Sequence, residues 1–117
     1  MPMSVRTKVW FTTGDRHAFG AGLARLLDNI DRYGTLRRSA RETGMSYRHA
    51  WNLIKNAETH LRKRLIVKYQ GGVGGGRSEL SRDGRRLLKA FHYLNRDVAR
   101  YANSRFFELL GRGTNHE

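Results

Sequence analysis

The first regular pattern along the chain is an alternation of period two near the amino terminus. One side of this stretch would carry Val5, Thr7, Val9 and Phe11, and the other side Arg6, Lys8 and Trp10. Such alternation is typical of a half-buried β-strand. We therefore predict a strand over residues 5–12, followed by a turn at the sequence Thr-Thr-Gly-Asp.

An apolar spacing of three and four begins after this turn. Between residues 16 and 33 the large apolar side chains are Phe19, Leu23, Leu26, Leu27 and Ile30. This spacing places them on one face of a helix, and Gly34 is a typical residue just after a helix end. The pattern predicts a helix over residues 16–33.

Two shorter helices joined by a tight turn are predicted for residues 35–61. Thr35 is suited to cap the first helix, and Gly44 can end it because glycine accepts positive φ. Ser46 is suited to cap the second helix, which would begin at Tyr47. The predicted apolar face of that helix comprises Ala50, Leu53 or Ile54, Ala57 and Leu61.

The segment from residue 64 to residue 80 is predicted to form a hairpin. The run "RLIVKY" is rich in β-formers, and "RSEL" follows a glycine-rich stretch, "GGVGGG". Two short strands joined by a flexible tip fit this composition.

A long last helix is predicted over residues 82–110. Ser81 is suited to cap it, and Asp83 lies in its first turn, where the helix dipole favours a negative charge. Apolar residues recur at intervals of four and three, a seam that resembles a coiled coil; they are Leu87, Phe91, Leu94, Val98 and Tyr101. The residues after Gly111 are predicted to be a loose tail.

The balance of basic and acidic residues indicates a polyanionic partner. The 117 residues include 23 Lys and Arg against 10 Asp and Glu, a formal net charge of +13. Such a surface attracts nucleic acid or anionic lipid. A membrane-surface helix would need an uninterrupted basic face, whereas Asp97 and Glu108 interrupt the polar face of the last helix.

The composition also excludes several classes of protein. The chain has no cysteine, which excludes disulfides and thiolate metal sites and favours a cytoplasmic location. No apolar run approaches the roughly 20 residues of a membrane span, and no export signal is visible. The histidines have no metal-binding spacing, and no catalytic constellation is evident. We therefore predict no metal, no cofactor and no enzymatic activity.

The glycine run also raises the question of a nucleotide site. Residues 71–78 read Gly-x-x-x-x-Gly-Arg-Ser, one residue away from a phosphate-binding loop, with Arg77 in place of the lysine. Such a loop needs a buried parallel strand before it and a helix that opens at its end. Here the next helix is predicted to open later, at Ser81, and the strands are predicted to be antiparallel. We therefore interpret the glycines as a hairpin tip.

The two short helices have the spacing of a helix-turn-helix. Ala40 and Ala50 are small enough for close helix approach, and Gly44 makes the turn between the helices. An ordinary helical hairpin could show this spacing by chance, but the basic, glycine-tipped hairpin that follows favours a winged helix. The predicted fold is mainly α with a small β-hairpin wing. It is one winged helix-turn-helix domain over residues 1–117, with a long C-terminal helix.

Two stretches of the sequence resemble a known family. "SARETGMSYRHAWNLIKNAE" and "LIVKYQGGVGGGRSELSRDGRRLL" are similar to the N-terminal DNA-binding domain of the ModE family of molybdate-responsive regulators, and more distantly to LysR-type winged helices. The resemblance implies DNA binding and dimerisation. In that family a molybdate-binding module follows this domain, whereas the sequence stops at Glu117. No molybdate binding is therefore expected.

The predicted site residues follow from this motif. Trp51 lies beside the apolar face, where tryptophan more often packs than contacts a base. Predicted base contacts are Ser46, Tyr47, Arg48, His49 and Asn52. Predicted phosphate contacts are Arg37, Arg38, Arg41, Lys55, Lys68, Gly74, Gly75 and Arg77. The predicted dimer interface comprises Leu23, Leu27, Leu87, Phe91, Leu94, Val98 and Tyr101.

The predicted function is sequence-specific transcriptional regulation by a homodimer on double-stranded DNA, without a membrane partner. Two alternatives stay open at this point. One is a nucleoid or RNA-binding protein that uses charge without reading sequence, and the other is an adaptor that regulates through protein contacts.

Overall fold

Four helices and two small sheets make up the fold. The computed structural model describes residues 3–70 and 76–115, with side chains through residue 111. The elements are β1 (Phe11–Thr13), β2 (Arg16–Phe19), α1 (Ala21–Tyr33), α2 (Leu36–Thr43), α3 (Tyr47–Leu61), β3 (Ile66–Tyr69), β4 (Arg77–Leu80) and α4 (Arg82–Asn115). β1 pairs with β2, and β3 pairs with β4, in both cases antiparallel. The prediction of a mainly α fold with a small β part is confirmed.

The amino-terminal region differs from its prediction in two ways. Instead of residues 5–12, only Phe11–Thr13 pair as a strand in the described part of the chain. The helix predicted over residues 16–33 begins at Ala21, since the preceding residues form β2. The reason is a turn at Gly14 that brings Phe19 back beside Phe11, with ring centroids 5.4 Å apart.

The residues before β1 lie beside α4 instead of in a sheet. The N–H of Val5 donates to Asn103 Oδ1 (2.8 Å), and Asn103 Nδ2 donates to the Val5 carbonyl (2.9 Å). One side-chain amide therefore pairs with both backbone groups of Val5, as a neighbouring strand would. Val9 packs against the core, so the segment keeps buried positions without a strand partner.

The turns around α2 and α3 use the predicted capping residues. Thr35 Oγ1 accepts from the N–H of Arg38 (3.2 Å), and Ser46 Oγ accepts from the N–H of His49 (3.0 Å). Gly44 ends α2 with a φ of 82°, a left-handed conformation that residues with a Cβ rarely adopt. These caps set the direction in which α3 leaves α2.

One hydrophobic core joins the three shorter helices to the hairpin and to the start of α4. The rings of Phe11, Phe19 and Phe91 contact one another, with centroids 5.4–5.8 Å apart. The largest fully buried side chains are Phe19, Phe91, Leu23, Leu26, Leu27, Ile30, Ile54 and Leu65. The core therefore joins the amino-terminal strands to the first third of α4.

α4 is longer than predicted. It extends to Asn115 instead of ending near residue 110, because a glycine such as Gly111 costs about 1 kcal/mol in a helix without forbidding it. Its 34 residues span about 50 Å at 1.5 Å per residue. Among the described residues, no helix combines the length and the apolar character that crossing a membrane requires.

The predicted dimer interface needs a correction. Leu23, Leu27 and Phe91 are at most 2% exposed, so they belong to the core of the single chain and are not available to a partner. Leu87 is partly buried and packs against the same core. The remaining three predicted residues, Leu94, Val98 and Tyr101, are exposed. The reason is that α1 packs on the first turns of α4 and covers the seam there.

The hairpin is fixed to α3 and α4 at Arg64 and Leu65. Glu58 Oε2 accepts from the N–H of Leu65 (2.8 Å), and the Leu65 carbonyl accepts from the N–H of Ser81 (2.8 Å). The Ser81 hydroxyl donates to the Arg64 carbonyl and accepts from the N–H of Gly84 (2.8 Å). Ser81 therefore caps α4, as predicted, and also binds the hairpin.

Gly84 lets α4 begin directly against Leu65. A Cβ at this position would lie 2.1 Å from the Leu65 carbonyl oxygen, a backbone atom that already accepts the N–H of Ser81. We expect Gly84→Ala to lower the free energy of unfolding by about 1–3 kcal/mol, since the backbone must shift to admit the methyl group. Urea unfolding followed by circular dichroism measures this change.

Gly111→Ala is the matched control in the same helix. Among the described residues, no atom outside the helix's own neighbouring backbone lies within 4 Å of a Cβ built there. The higher helix propensity of alanine is therefore expected to leave the stability unchanged or to raise it by up to about 1 kcal/mol. Equal stabilities for the two variants would contradict the close contact at Gly84.

Candidate nucleic-acid interface

α3 has one buried face and one exposed face. Ala50, Ile54 and Ala57 are at most 2% exposed and pack in the core. The opposite side carries four exposed residues, Tyr47, Arg48, Trp51 and Asn52, which line a shallow depression of about 370 Å³. We call these four residues the α3 outer face.

The predicted base-contact residues all lie at the exposed start of α3. Tyr47, Arg48 and Asn52 belong to the α3 outer face, and Ser46 and His49 are exposed beside it. Ser46 also has a structural task, because its oxygen accepts the N–H of His49. Its hydroxyl proton stays available to an external acceptor.

Trp51 is exposed, although its place beside the apolar face made packing the favoured of two interpretations. Its side chain is 39% exposed and lies on the α3 outer face, four residues after Tyr47. Nζ of Lys55 lies 5.4 Å from the centroid of its ring. The spacing from Tyr47 was the feature of the sequence that could have indicated this position, since residues four apart share a helix face.

A basic cleft of about 470 Å³ lies between α2 and the hairpin β3–β4. We define the basic cleft by its five cationic residues, which are Arg37, Arg38 and Arg41 from α2 and Lys68 and Arg77 from the hairpin. Tyr47 lines the same cleft, so the cleft borders the α3 outer face. The structure thus brings together five of the eight predicted phosphate contacts.

Aromatic rings hold three of these arginines. The guanidinium carbon lies 4.8 Å from the Tyr47 ring centroid for Arg37, 4.3 Å from that of Tyr33 for Arg38, and 5.3 Å from that of Tyr69 for Arg77. Stacking on a ring leaves the donor edge of a guanidinium free for an anion. Tyr33 and Tyr69 were missed in the sequence because β4 and α2 bring them beside the arginines only in the folded chain.

Within the described part of the chain, acidic residues pair with only one of the five cations of the basic cleft. Within residues 3–70 and 76–115, Arg37, Arg38, Arg41 and Lys68 have no ion pair, and Arg77 pairs with Glu79 at 3.0 Å. Other carboxylates pair elsewhere, for example Asp31 with Arg85 between α1 and α4. The positive charge is therefore concentrated where α2, α3 and the hairpin meet.

One further predicted phosphate contact, Lys55, does not line the basic cleft. Lys55 Nζ pairs with Glu58 Oε1 at 3.3 Å, which offsets its charge. Gly74 and Gly75 lie outside the described residues, as does the rest of the stretch 71–75. Within the described part of the chain, no group of three or more His, Asp or Glu residues is arranged to hold a metal ion.

Comparison with known proteins gives matches in the curated proteins but no matching family model. The chain is 35% identical over 69 residues to the transcriptional regulator ModE of Yersinia pestis and 33% identical over 69 residues to the DNA-binding transcriptional dual regulator ModE of Escherichia coli (strain K12). Each match covers 59% of this chain and 26% of the relative. These matches confirm the resemblance indicated by the sequence motifs.

A further relative is the molybdenum-pterin-binding protein MopB of Rhodobacter capsulatus. It is 33% identical over 92 residues, which are 79% of this chain and 33% of the relative. The chain thus spans about a quarter to a third of the length of these curated relatives.

Proposed function

Because the chain is related to the regulators of the ModE family, we propose that it is a DNA-binding transcriptional regulator that reads a specific duplex sequence. The observation that carries the proposal is the basic cleft beside the α3 outer face. Phosphate contacts position a protein on a duplex, and base contacts specify the sequence. The chain offers a separate surface for each task.

In this proposal α2, α3 and the hairpin form a winged helix-turn-helix. α3 enters the major groove with its N-terminal half, and the hairpin acts as the wing. Support comes from the caps at Thr35 and Ser46 and the turn at Gly44, which join α2 to α3 in the manner of this motif. The core residues of α3 face away from the proposed groove, so the fold would not change on docking.

The α3 outer face would make the base contacts. Arg48 can donate two hydrogen bonds to the O6 and N7 of a guanine, and Asn52 can pair with the N6 and N7 of an adenine. Tyr47 and His49 add donors and acceptors at the start of the helix. Ser46 would donate its hydroxyl proton to a nearby phosphate or base.

The basic cleft would hold the phosphate backbone next to that groove. Its cations come from two elements on opposite sides of the cleft, so one strand of the duplex can lie between α2 and the hairpin. We expect Lys55 to contribute less, because it does not line the basic cleft. Gly74 and Gly75 stay predicted phosphate contacts, since a glycine lets a backbone N–H approach a phosphate closely.

Two other functions are weaker candidates. A protein that binds nucleic acid without reading sequence would use the net charge of +13 but would not need the hydrogen-bonding side chains of the α3 outer face. An adaptor that acts through protein contacts would not need the basic cleft. Both features together favour sequence-specific binding of double-stranded DNA.

Molybdate is assigned no role in this proposal. The names of several relatives refer to molybdenum or to pterin binding. Those proteins are three to four times as long as the segment that matches this chain. The expectations of no molybdate, no cofactor and no enzymatic activity stay predictions.

Selection from random duplex DNA tests the proposal directly. We expect the wild type to recover a defined motif, and Arg48→Ala to lose about 1–3 kcal/mol on that motif and to relax one base position. Enrichment without any motif would favour the non-specific alternative. A motif that Arg48→Ala leaves unchanged would remove Arg48 from the base contacts.

The phosphate role of the hairpin has its own test. Arg77→Ala should weaken binding to the selected motif and to random duplex alike, and should lower the salt slope of log K by about one. Arg105→Ala is the matched control, since Arg105 is also exposed and paired with a glutamate, Glu108, at 2.9 Å on the distal part of α4. Fluorescence anisotropy titrations at several salt concentrations measure the affinities and the salt slope for both variants. An effect confined to the selected motif would instead assign base reading to Arg77.

We further propose that the protein is a homodimer on a two-fold operator. Support comes from α4, where Leu94, Val98 and Tyr101 are 43%, 38% and 70% exposed at intervals of four and three. A second copy that places the same stripe against this one would bury all three side chains in an isologous interface. Two half-sites would also supply the specificity that one winged helix lacks.

Sedimentation equilibrium tests this assembly. We expect a dimer for the wild type at micromolar concentration and a folded monomer for the double variant Leu94→Lys, Val98→Lys. The control is Tyr93→Lys, Phe107→Lys, which adds the same charge at exposed positions on a different face of α4. A monomeric wild type would refute the dimer, and a dimeric first variant would place the interface elsewhere.

A further inference from the structure

The exposed indole of Trp51 is not explained by the fold. Its neighbours Ala50 and Ile54 are buried, whereas Trp51 itself points with Tyr47 and Asn52 to the solvent side of α3. Covering a large apolar ring on a helix surface contributes about 25 cal/mol of favourable free energy for each Å² of apolar area that is removed from water. A binding partner therefore stands to gain from contact with this ring.

Lys55 connects the ring of Trp51 to the rest of the fold. Lys55 lies over it, and Lys55 is in turn paired with Glu58, which accepts from the N–H of Leu65. The indole is thus linked to the start of the hairpin by a chain of three contacts. A pre-positioned side chain loses little conformational freedom when it binds.

The major groove offers one apolar group to such a ring. Among the four bases only thymine presents a methyl group there, whereas the other groove edges present donors and acceptors. The indole has a single donor and no acceptor, so most of its surface is suited to apolar contact and not to hydrogen bonding. Arg48 and Asn52, on either side of Trp51 in the same depression, are suited to the polar edges of guanine and adenine.

We propose that Trp51 is a specificity residue that packs on the 5-methyl group of a thymine in the major groove. This inference rests on the proposed function, because it assumes that α3 lies in the groove. It adds an apolar contact to the polar contacts of Arg48 and Asn52, so that thymine is preferred at a position next to those that the two polar side chains read.

Replacement of each thymine of the selected duplex by uracil tests the proposal, because uracil lacks only the methyl group. For the wild type we expect a loss of about fourfold in affinity at one thymine, the factor that corresponds to one buried methyl group. Trp51→Ala should bind the unmodified duplex more weakly and show no further loss at that thymine. Binding titrations of both proteins on the duplex series measure this coupling.

Trp10→Ala is the matched control. Trp10 is the other tryptophan of the chain; it is 47% exposed, and Lys8 Nζ lies 5.8 Å from the centroid of its ring. It lies before β1, outside the α3 outer face and the basic cleft. This variant should lose about fourfold at the same thymine, as the wild type does. The Trp10→Phe protein, whose only tryptophan is Trp51, should in addition show protection of its fluorescence from iodide when the selected duplex is added.

The outcomes separate the two proposals. Equal losses for the wild type and Trp51→Ala at every thymine, or no protection from iodide, would overturn the role of Trp51 and leave sequence-specific binding intact. A wild type that recovers no motif from random duplex DNA would overturn the proposed function itself, and the thymine contact with it. A coupled thymine together with protection from iodide would support both.

Discussion

The backbone of Leu65 is the point on which the relative placement of α3, the hairpin and α4 depends. Its N–H is bound by Glu58 of α3, its carbonyl accepts the N–H of Ser81, and its side chain is fully buried. The first turn of α4 approaches the same carbonyl so closely that only a glycine fits at position 84. Three elements therefore share one residue, and a shift of any one of them would leave a buried backbone group without its partner.

This junction has consequences for both candidate surfaces. Since the hairpin cannot move freely relative to α3, the cations that it contributes to the basic cleft stay opposite those of α2. Glu58 also takes up the charge of Lys55, which lies over the Trp51 ring. Structural hydrogen bonds at the base of the hairpin thus help to position side chains on the α3 outer face, about two helical turns away.

The packing of α1 against α4 also determines where part of the acidic charge lies. α1 supplies Asp28 and Asp31 to His92 and Arg85 of α4, with contacts of 3.0 and 3.1 Å, so part of the acidic complement faces the long helix. These exposed pairs add little stability individually. Their effect on function would be indirect, because carboxylates used between α1 and α4 are not available to neutralise the arginines of α2. α4 then continues past the core and presents its apolar stripe where α1 no longer covers it.

Local sequence determined the helix caps, the buried face of α1 and the residue types of the α3 outer face. These predictions share a physical reason, because each depends on interactions within a few residues. Thr35, Gly44, Ser46 and Ser81 act through hydrogen bonds or backbone angles within a few residues, so the starts of α2, α3 and α4 and the end of α2 could be predicted. The apolar periodicity of residues 23–30 likewise identified the buried face of α1. The residue types of the α3 outer face were also evident, apart from the exposure of Trp51, because a helix of known phase fixes which side chains share a face.

Only the tertiary structure decided the features that depend on distant partners. The alternation over residues 5–12 is that of a strand, yet most of it lies beside α4, where the amide of Asn103 takes the place of a neighbouring strand. The seam of α4 is continuous in the sequence, but contact with α1 divides it into the buried Phe91 and the exposed Leu94, Val98 and Tyr101. Tyr33 meets Arg38 across the turn between α1 and α2, and Tyr69 meets Arg77 across the hairpin. The periodicity of a segment indicates which of its side chains share an apolar face. Whether that face is buried depends on which other segment of the chain packs against it.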